Sequence, residues 1–572
     1  MERNLRSRLL PRLERLYGPR AEECLAPILV RTAAAAARLA RRAGPLWDEK
    51  DVVLITYGDQ VRSPDEPPLA ALRRFLFEQG LHGLVNTVHL LPFFPYSSDD
   101  GVSVIDYRQV DPVLGDWDDV ARLGEDYALM FDLVLNHVSR RSRYFEEYWA
   151  GREPFVRFFH EVDPATDLSA VTRPRSLPLL TPVETPRGTR HLWTTFSDDQ
   201  IDLNFAEPAV LSEMVDVLLF YLERGARIIR LDAIAYLWKR IGTPCIHLPE
   251  THEVVKLLRD LLDAVAPWAI LLTETNVPHR ENVSYFGQGD EARMVYQFSL
   301  APLLLEALLA GDASLLAGWL SGLEPPPPGC AVLNFTASHD GIGVRPLEGI
   351  MPAARFARLI EAVRARGGRI GMKRNPDGTE SPYELNVTYF SALADADPRV
   401  HLRRFLAGQA VMLALQGIPA VYFHSLVATE NDTAAVERTG QPRSINRRKF
   451  TAAELADRLR GNDAIPGAAL AAYRRLLAVR TAQPAFHPEA PQQVIPQEHP
   501  SLLGFVRASI DRGQQIFVTA NLGREPQPLA LPAEFRDHPL VDLLAEPGDE
   551  GIREGIALEP FQVAWLARST LR

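Results

Sequence analysis

ARIIRLDAIAY, residues 226–236, is a continuous apolar run broken by Arg230 and Asp232 near its end. Runs of this kind mark parallel strands covered on both faces, because neither face meets water. Seven more runs share the grammar: VVLITYG (52–58), LVNTVHLLPF (84–93), ALMFDLVLNH (128–137), WAILLTETN (268–276), MVYQFSL (294–300), AVLNFTASHD (331–340) and IPAVYFHS (418–425). Helix-like segments with apolar residues at a spacing of three to four separate them. Eight such units predict an α/β fold, a (β/α)8 TIM barrel, with its reactive residues at the C-terminal strand ends. Asp132, His137, Asp232, Glu274 and Asp340 all fall at or near such ends. A doubly wound open sheet is the rival fold, but YGDQVRSPD after the first run is no G-x-G-x-x-G turn.

Working outward, the barrel is expected over 49–138 and 205–455, interrupted by an inserted subdomain over 139–204. That insert is rich in aromatics and too long for an ordinary βαβ connection, so it is expected to overhang the barrel mouth and serve a binding site. Two further excursions, MKRNPDGTESPYELN (372–386) and ATENDTAAVERTGQPRSINRRKF (428–450), read as ordered loops rather than helix from their Gly, Pro, Asn and Asp content. Residues 1–48 read as a helical extension packed on the barrel, with a membrane-touching helix as the rival. A helical connection follows over 456–490, and short strands such as LLGFVRAS, QQIFVTANL, QPLALP and FQVAWLARS point to an antiparallel β domain over 491–572.

Composition narrows the partners. Lys plus Arg number 62 against 73 for Asp plus Glu, a net charge of −11, so no broad basic surface is expected for nucleic acid. Cys24, Cys245 and Cys330 lie far apart without a C-x-x-C, which fits a reducing, cytoplasmic location. The charged N-terminus does not read as a secretory signal, and no apolar stretch is long enough to predict a spanning helix or a membrane partner.

The chemistry rests on carboxylates. Asp232 and Glu274 end neighbouring strands and can flank one small group, the layout needed for glycosyl transfer through a covalent intermediate. One carboxylate attacks, the other donates a proton, and a retaining pair sits about 5–5.5 Å apart. Asp340 can oppose developing positive charge or hold ring hydroxyls. Arg230 shares a strand face with Asp232 and can keep it ionised. His137, His339 and Asp99 are natural ligands for sugar hydroxyls, and Phe196 or Tyr236 can stack on a sugar or simply pack the insert. Any one of these residues is as readily a cap or a salt-bridge partner; their joint placement on strand tips carries the reading. A divalent metal on Asp132, His137 and Asp232 is the chemical rival, but no H-x-x-E-H, H-E-x-x-H or complete calcium loop is present.

These strings resemble the α-amylase superfamily, glycoside hydrolase family 13: DLVLNH (132–137), RIIRLDA around Asp232, TETN (273–276) and NFTASHD (334–340) match its conserved regions in order. The resemblance implies Asp232 as nucleophile, Glu274 as acid/base and Asp340 as transition-state stabiliser. LITYGDQ (54–60), HLLPFFPYSSDDG (89–101), HLWTTFSDDQIDLNF (191–205) and NDTAAVERTGQPRSINRR (431–448) resemble the sucrose-phosphorylase subgroup. This implies that Asp99, His137, Arg230, Asp340 and Arg447 hold a glucosyl unit, with Phe196, Gln200 and Tyr236 in the same pocket, and that no cofactor or metal is needed. The implied substrates are an α-glucoside and inorganic phosphate.

The long N-terminal segment, SHDGIGVRPLEG (338–349) and DLSAVTRPRSLPLLTP (167–182) are more similar to glucosylglycerate phosphorylases. In the 372–386 excursion Glu384 follows Tyr383 where sucrose enzymes tend to carry Gln. An acceptor with a carboxylate calls for a cation, and Arg173, Arg175, Lys373, Arg374, Arg443 and Arg448 are the candidates. Phosphorolysis of sucrose or glucosylglycerol, hydrolysis or transglucosylation, and a sugar-binding barrel without catalysis are the alternatives.

Overall fold

The computed structural model describes residues 2–39, 42–375, 377–461, 464–545 and 557–568. The N-terminal extension, the 372–386 excursion and the C-terminal β domain therefore each run partly outside the described residues. All eight apolar runs form strands of one closed parallel barrel: β1 (Val53–Thr56), β2 (Thr87–Leu90), β3 (Ala128–Val134), β4 (Ala226–Asp232), β5 (Ile270–Thr273), β6 (Met294–Tyr296), β7 (Ala331–Phe335) and β8 (Ile418–Tyr422). The strands follow chain order around the barrel, and β1 closes on β8 through Val53 and Ala420. Arg230 of β4 stands opposite Asp132 of β3 on one side and Leu272 of β5 on the other. Strand register thus brings the β3 and β4 charges together and places the start of the β5 tip alongside.

The extension forms helices α1 (Glu2–Tyr17) and α2 (Ala21–Ala36). They lie on the barrel's outer layer, α2 against α3 (Pro208–Glu223) and α1 against α4 (Pro249–Val265). Leu5, Leu9 and Leu13 recur every four residues, so one α1 stripe is buried. The Tyr17 hydroxyl donates to the Phe205 carbonyl at 2.9 Å, and Arg12 and Arg20 pair with Glu253 and Glu207, each at 3.0 Å. No helix of the described residues is long and apolar enough to cross a membrane.

In the inserted segment, His137–Ser139 pairs antiparallel with Gln200–Asp202, and a hairpin joins Leu180–Thr185 to Gly188–Trp193. The 372–386 excursion differs from the loop expected of it. Arg369–Arg374 and Glu380–Asn386 form a hairpin, with Ile342–Gly343 as a third strand. Asn375, Asp377 and Gly378 supply the turn: the Thr379 N–H donates to Asp377 Oδ1, and Gly378 takes φ 83°. The 428–450 excursion is also partly helical. Asp432 caps Thr433–Thr439 at its start, and Gly440, with φ 69°, ends it.

The helical connection comprises Ala452–Leu459 and Ile465–Arg480. A five-stranded antiparallel sheet follows, including Gln492–Val494 and Leu540–Asp542, two short strands that the sequence pattern does not announce, while QPLALP contributes only Gln527–Pro528 to a separate pair. Two buried arginines tie these parts to the barrel by donating to carbonyls: Arg480, at the end of the connecting helix, to Leu413 at 3.0 Å, and Arg507, on the sheet, to Ala414 at 2.7 Å.

Leu9→Ala removes a fully buried side chain from the α1 docking face. The expected loss is about 2–5 kcal/mol. Native-state proteolysis should then cut the extension well before the barrel; an unchanged cleavage rate would mean that the extension is not held by this stripe.

Candidate active site

The β4 run ends because the chain turns sharply at Asp232. Ala233 adopts a left-handed conformation, φ 50° and ψ 29°, which costs a non-glycine residue about 1–2 kcal/mol. In that conformation the Ala233 N–H donates to Glu274 Oε2 at 3.0 Å, so the turn positions the neighbouring strand's carboxyl. Below the turn, the Arg230 side chain is 3% exposed. Its Nη1 donates to Asp232 at 2.6 Å and also to Asp132, while Nη2 lies 3.9 Å from Glu274 and 3.6 Å from Asp340. Asp132 also meets His89 Nε2 at 2.5 Å.

Burial raises both Asp232 and Glu274 above their ordinary range. Arg230 opposes this, and does so far more directly at Asp232. Glu274 reaches about 7, lifted by burial and by the neighbouring Asp232 and Asp340. Glu274 is therefore the carboxyl that keeps a proton near neutrality, and Asp232 the one held ionised. For Asp340, burial is outweighed by His339 (3.4 Å), Arg443 (2.8 Å), Arg230 and Arg447 (3.9 Å), which hold it well below the usual carboxylate range. A carboxylate paired with a guanidinium, a carboxyl that retains a proton near neutrality and a second fixed anion around one cavity can cleave a glycosidic bond through an oxocarbenium-like state.

Nine of the residues read from the sequence line this cavity: Asp99, His137, Phe196, Gln200, Asp232, Tyr236, Glu274, Asp340 and Tyr383. Phe196 packs against His137 and meets Tyr236 edge to face, with ring centres 5.2 and 5.6 Å apart. Burial lowers His137, keeping it neutral, and its Nε2 lies 3.3 Å from Gln200 Nε2. Arg230, His339, Glu384 and Arg447 stand one layer behind. Arg447 binds Asp99 at 3.3 Å, Asp100 at 2.8 Å and the His339 carbonyl at 2.9 Å. Glu384 accepts two hydrogen bonds from Arg443.

Of the six candidate cations, Arg175 and Arg443 reach the cavity. Arg448 pairs with Glu454 at 2.6 Å, Lys373 bonds Asn375, and Arg173 bonds the Leu177 carbonyl of its own loop. The proposed metal trio is differently engaged: Asp132 and Asp232 share Arg230, while His137 faces Gln200. Among the described residues no cluster of three or more His, Cys, Asp or Glu side chains could hold a metal. Sequence reading missed His89, Lys239 and Asp202. Lys239 donates to Asn136 at 2.7 Å and lies 2.7 Å from Asp202, fixing the β3 end to the insert. Each sits in an unremarkable context, and only the fold pairs it.

Turnover that draws its proton from Glu274 should lose rate as pH rises through about 7, about tenfold per unit beyond it. α-Glucosyl fluoride, whose leaving group needs no proton, should not show this fall. The same alkaline limb with both donors would remove Glu274 from the acid role.

The α-amylase catalytic-domain family matches residues 81–316. Glucosylglycerate phosphorylase of Allomeiothermus silvanus is 46% identical over 98% of both chains. The Escherichia coli protein of the same name is 43% identical over 98% of this chain and 100% of its own. The crystal structure of sucrose 6F-phosphate phosphorylase from Thermoanaerobacter thermosaccharolyticum superposes with a TM-score of 0.72 at 25% identity, covering 85% of this chain and 95% of that one. With the barrel, the insert and the strand-tip carboxylates in place, the chain belongs to glycoside hydrolase family 13, in its sucrose-phosphorylase-like subgroup.

Proposed function

We propose that this member of a phosphorolytic family cleaves 2-O-α-D-glucosylglycerate with phosphate, giving α-D-glucose 1-phosphate and D-glycerate. Asp232 attacks glucosyl C1 while the C1–O bond to glycerate breaks, and Glu274 passes its proton to the departing oxygen. Asp340 faces the positive charge that develops at the ring. Phosphate then enters on the side vacated by glycerate. Its oxygen attacks C1, the ester to Asp232 breaks, and the phosphate proton returns to Glu274. Two inversions retain the α configuration. Asp99, His137, Gln200 and Arg447 hold the glucosyl hydroxyls in this reading, directly or through Asp99, and Phe196 with Tyr236 forms the aromatic wall.

The observation that carries the substrate is Arg175. It lines the cavity, and its guanidinium lies 5.5 Å from the Tyr383 ring centre. Its nearest carboxylate is Glu384 at 3.8 Å, and that group already takes two bonds from Arg443. Arg175 therefore offers a charge that a neutral fructose or glycerol acceptor leaves unused, and that a glycerate carboxylate and then a phosphate can accept in turn. The two glucosylglycerate phosphorylases above support the same choice.

The deciding assay incubates the purified protein with glucosylglycerate, sucrose and glucosylglycerol, each with and without phosphate. Glucose 1-phosphate should form from glucosylglycerate only when phosphate is present. Preference for sucrose or glucosylglycerol would overturn the acceptor, and glucose release independent of phosphate would make the protein a hydrolase. Asp232→Ala should abolish turnover. Arg175→Ala should raise KM for both glucosylglycerate and phosphate about tenfold or more, the worth of one charge-assisted hydrogen bond; an unchanged phosphate KM would place the anion elsewhere.

A further inference from the structure

Glu384 occupies a slot that the three-stranded sheet leaves open for it. Its cross-strand neighbours are Gly343 on one side and Gly371 on the other. A Cβ at Gly371 would come within 2.8 Å of Glu384 Cγ, and one at Gly343 would strike the Asn276 amide. The Glu384 side chain is 4% exposed and receives Arg443 Nε at 2.9 Å and Nη2 at 2.7 Å. Arg443 Nη1 turns the other way, to Asp340 at 2.8 Å. The guanidinium that lines the cavity is thus gripped by two carboxylates, one on the hairpin and one on the barrel.

A bidentate carboxylate cancels most of a guanidinium's charge at a distance. Arg443 therefore orients Asp340 without adding its full charge to that of Arg175, which lies 3.8 Å from the same Glu384. We propose that Glu384 is a specificity-determining residue that masks the charge of Arg443 and so limits the anion affinity of the acceptor side. The inference rests on the reading that glycerate and phosphate exchange at that side through Arg175. Each anion must leave before the other enters, and two unmasked guanidinium groups would retain either one.

Glu384→Gln keeps an oxygen for one of the two Arg443 bonds but removes the charge. With α-glucosyl fluoride as donor, the phosphate KM and the inhibition constant of sulfate, an unreactive anion of the same shape, should both fall about tenfold, as expected for deleting a charge a few ångströms away. The double variant Glu384→Gln with Arg443→Gln should return both constants toward the parent values. Gly371→Ala, which displaces Glu384 without changing its charge, offers a second route and should also strengthen sulfate inhibition. Unchanged sulfate inhibition in Glu384→Gln, or equal strengthening in the double variant, overturns the proposal. Because the fluoride donor carries no glycerate, an error in the natural donor would not imitate either result; failure of the parent protein to turn over the fluoride would sink the glucosyl-transfer reading together with this one.

Discussion

The site depends on one buried guanidinium. Arg230 reaches four carboxylates, two by direct hydrogen bonds and two within 4 Å. Taking such a group out of water costs several kcal/mol, and good geometry with paired hydrogen bonds has to offset it. Parallel register provides that geometry, since Arg230 stands opposite Asp132 on β3 and two residues from Asp232 on its own strand. The difference between 2.6 Å and 3.9 Å then separates the two strand-tip carboxyls: Asp232 is the one the guanidinium bonds directly, and Glu274 the one lifted to about 7. The strained turn at Ala233 belongs to the same arrangement, because it ends β4 and aims an N–H at Glu274.

Around this centre the cavity is assembled from segments far apart in the chain. The insert brings Phe196, Gln200 and Arg175, and the Lys239–Asp202 pair ties its base to the barrel. The hairpin after the long helix-rich stretch brings Tyr383 and Glu384. The capped segment at 432–447 brings Arg443 and Arg447 onto Asp340 and Asp99. Arginines make most of these junctions, because a planar fork of donors can bridge two carboxylates on different elements at once. The result is an electrostatic unit in which Arg443 and Arg447 are hydrogen-bonded to carboxylates, while Arg175 lies 3.8 Å from Glu384 at the cavity wall.

The mouth of the barrel was legible in the sequence because parallel barrels impose a simple rule: apolar runs form strands, and the polar residue ending each run faces the mouth. Asp232, Glu274 and Asp340 followed that rule. Turn-rich stretches were less legible. Gly, Pro, Asn and Asp mark the tip of an excursion and say little about its arms, so 372–386 read as a loop although its arms pair as strands. Likewise, short helices such as Thr433–Thr439 depend on caps whose effect is local and easily masked by flanking turn residues.

By itself, the sequence determined the eight βα units and the placement of carboxylates at strand tips, because hydrophobic periodicity is a local signal that each segment carries alone. The tertiary structure decided how charge is shared. Whether Glu384 touches substrate or masks Arg443, and whether Arg175 or Arg448 faces the cavity, depends on partners tens to hundreds of residues away. Coulomb energy and burial are properties of that spatial arrangement, and no local pattern encodes them.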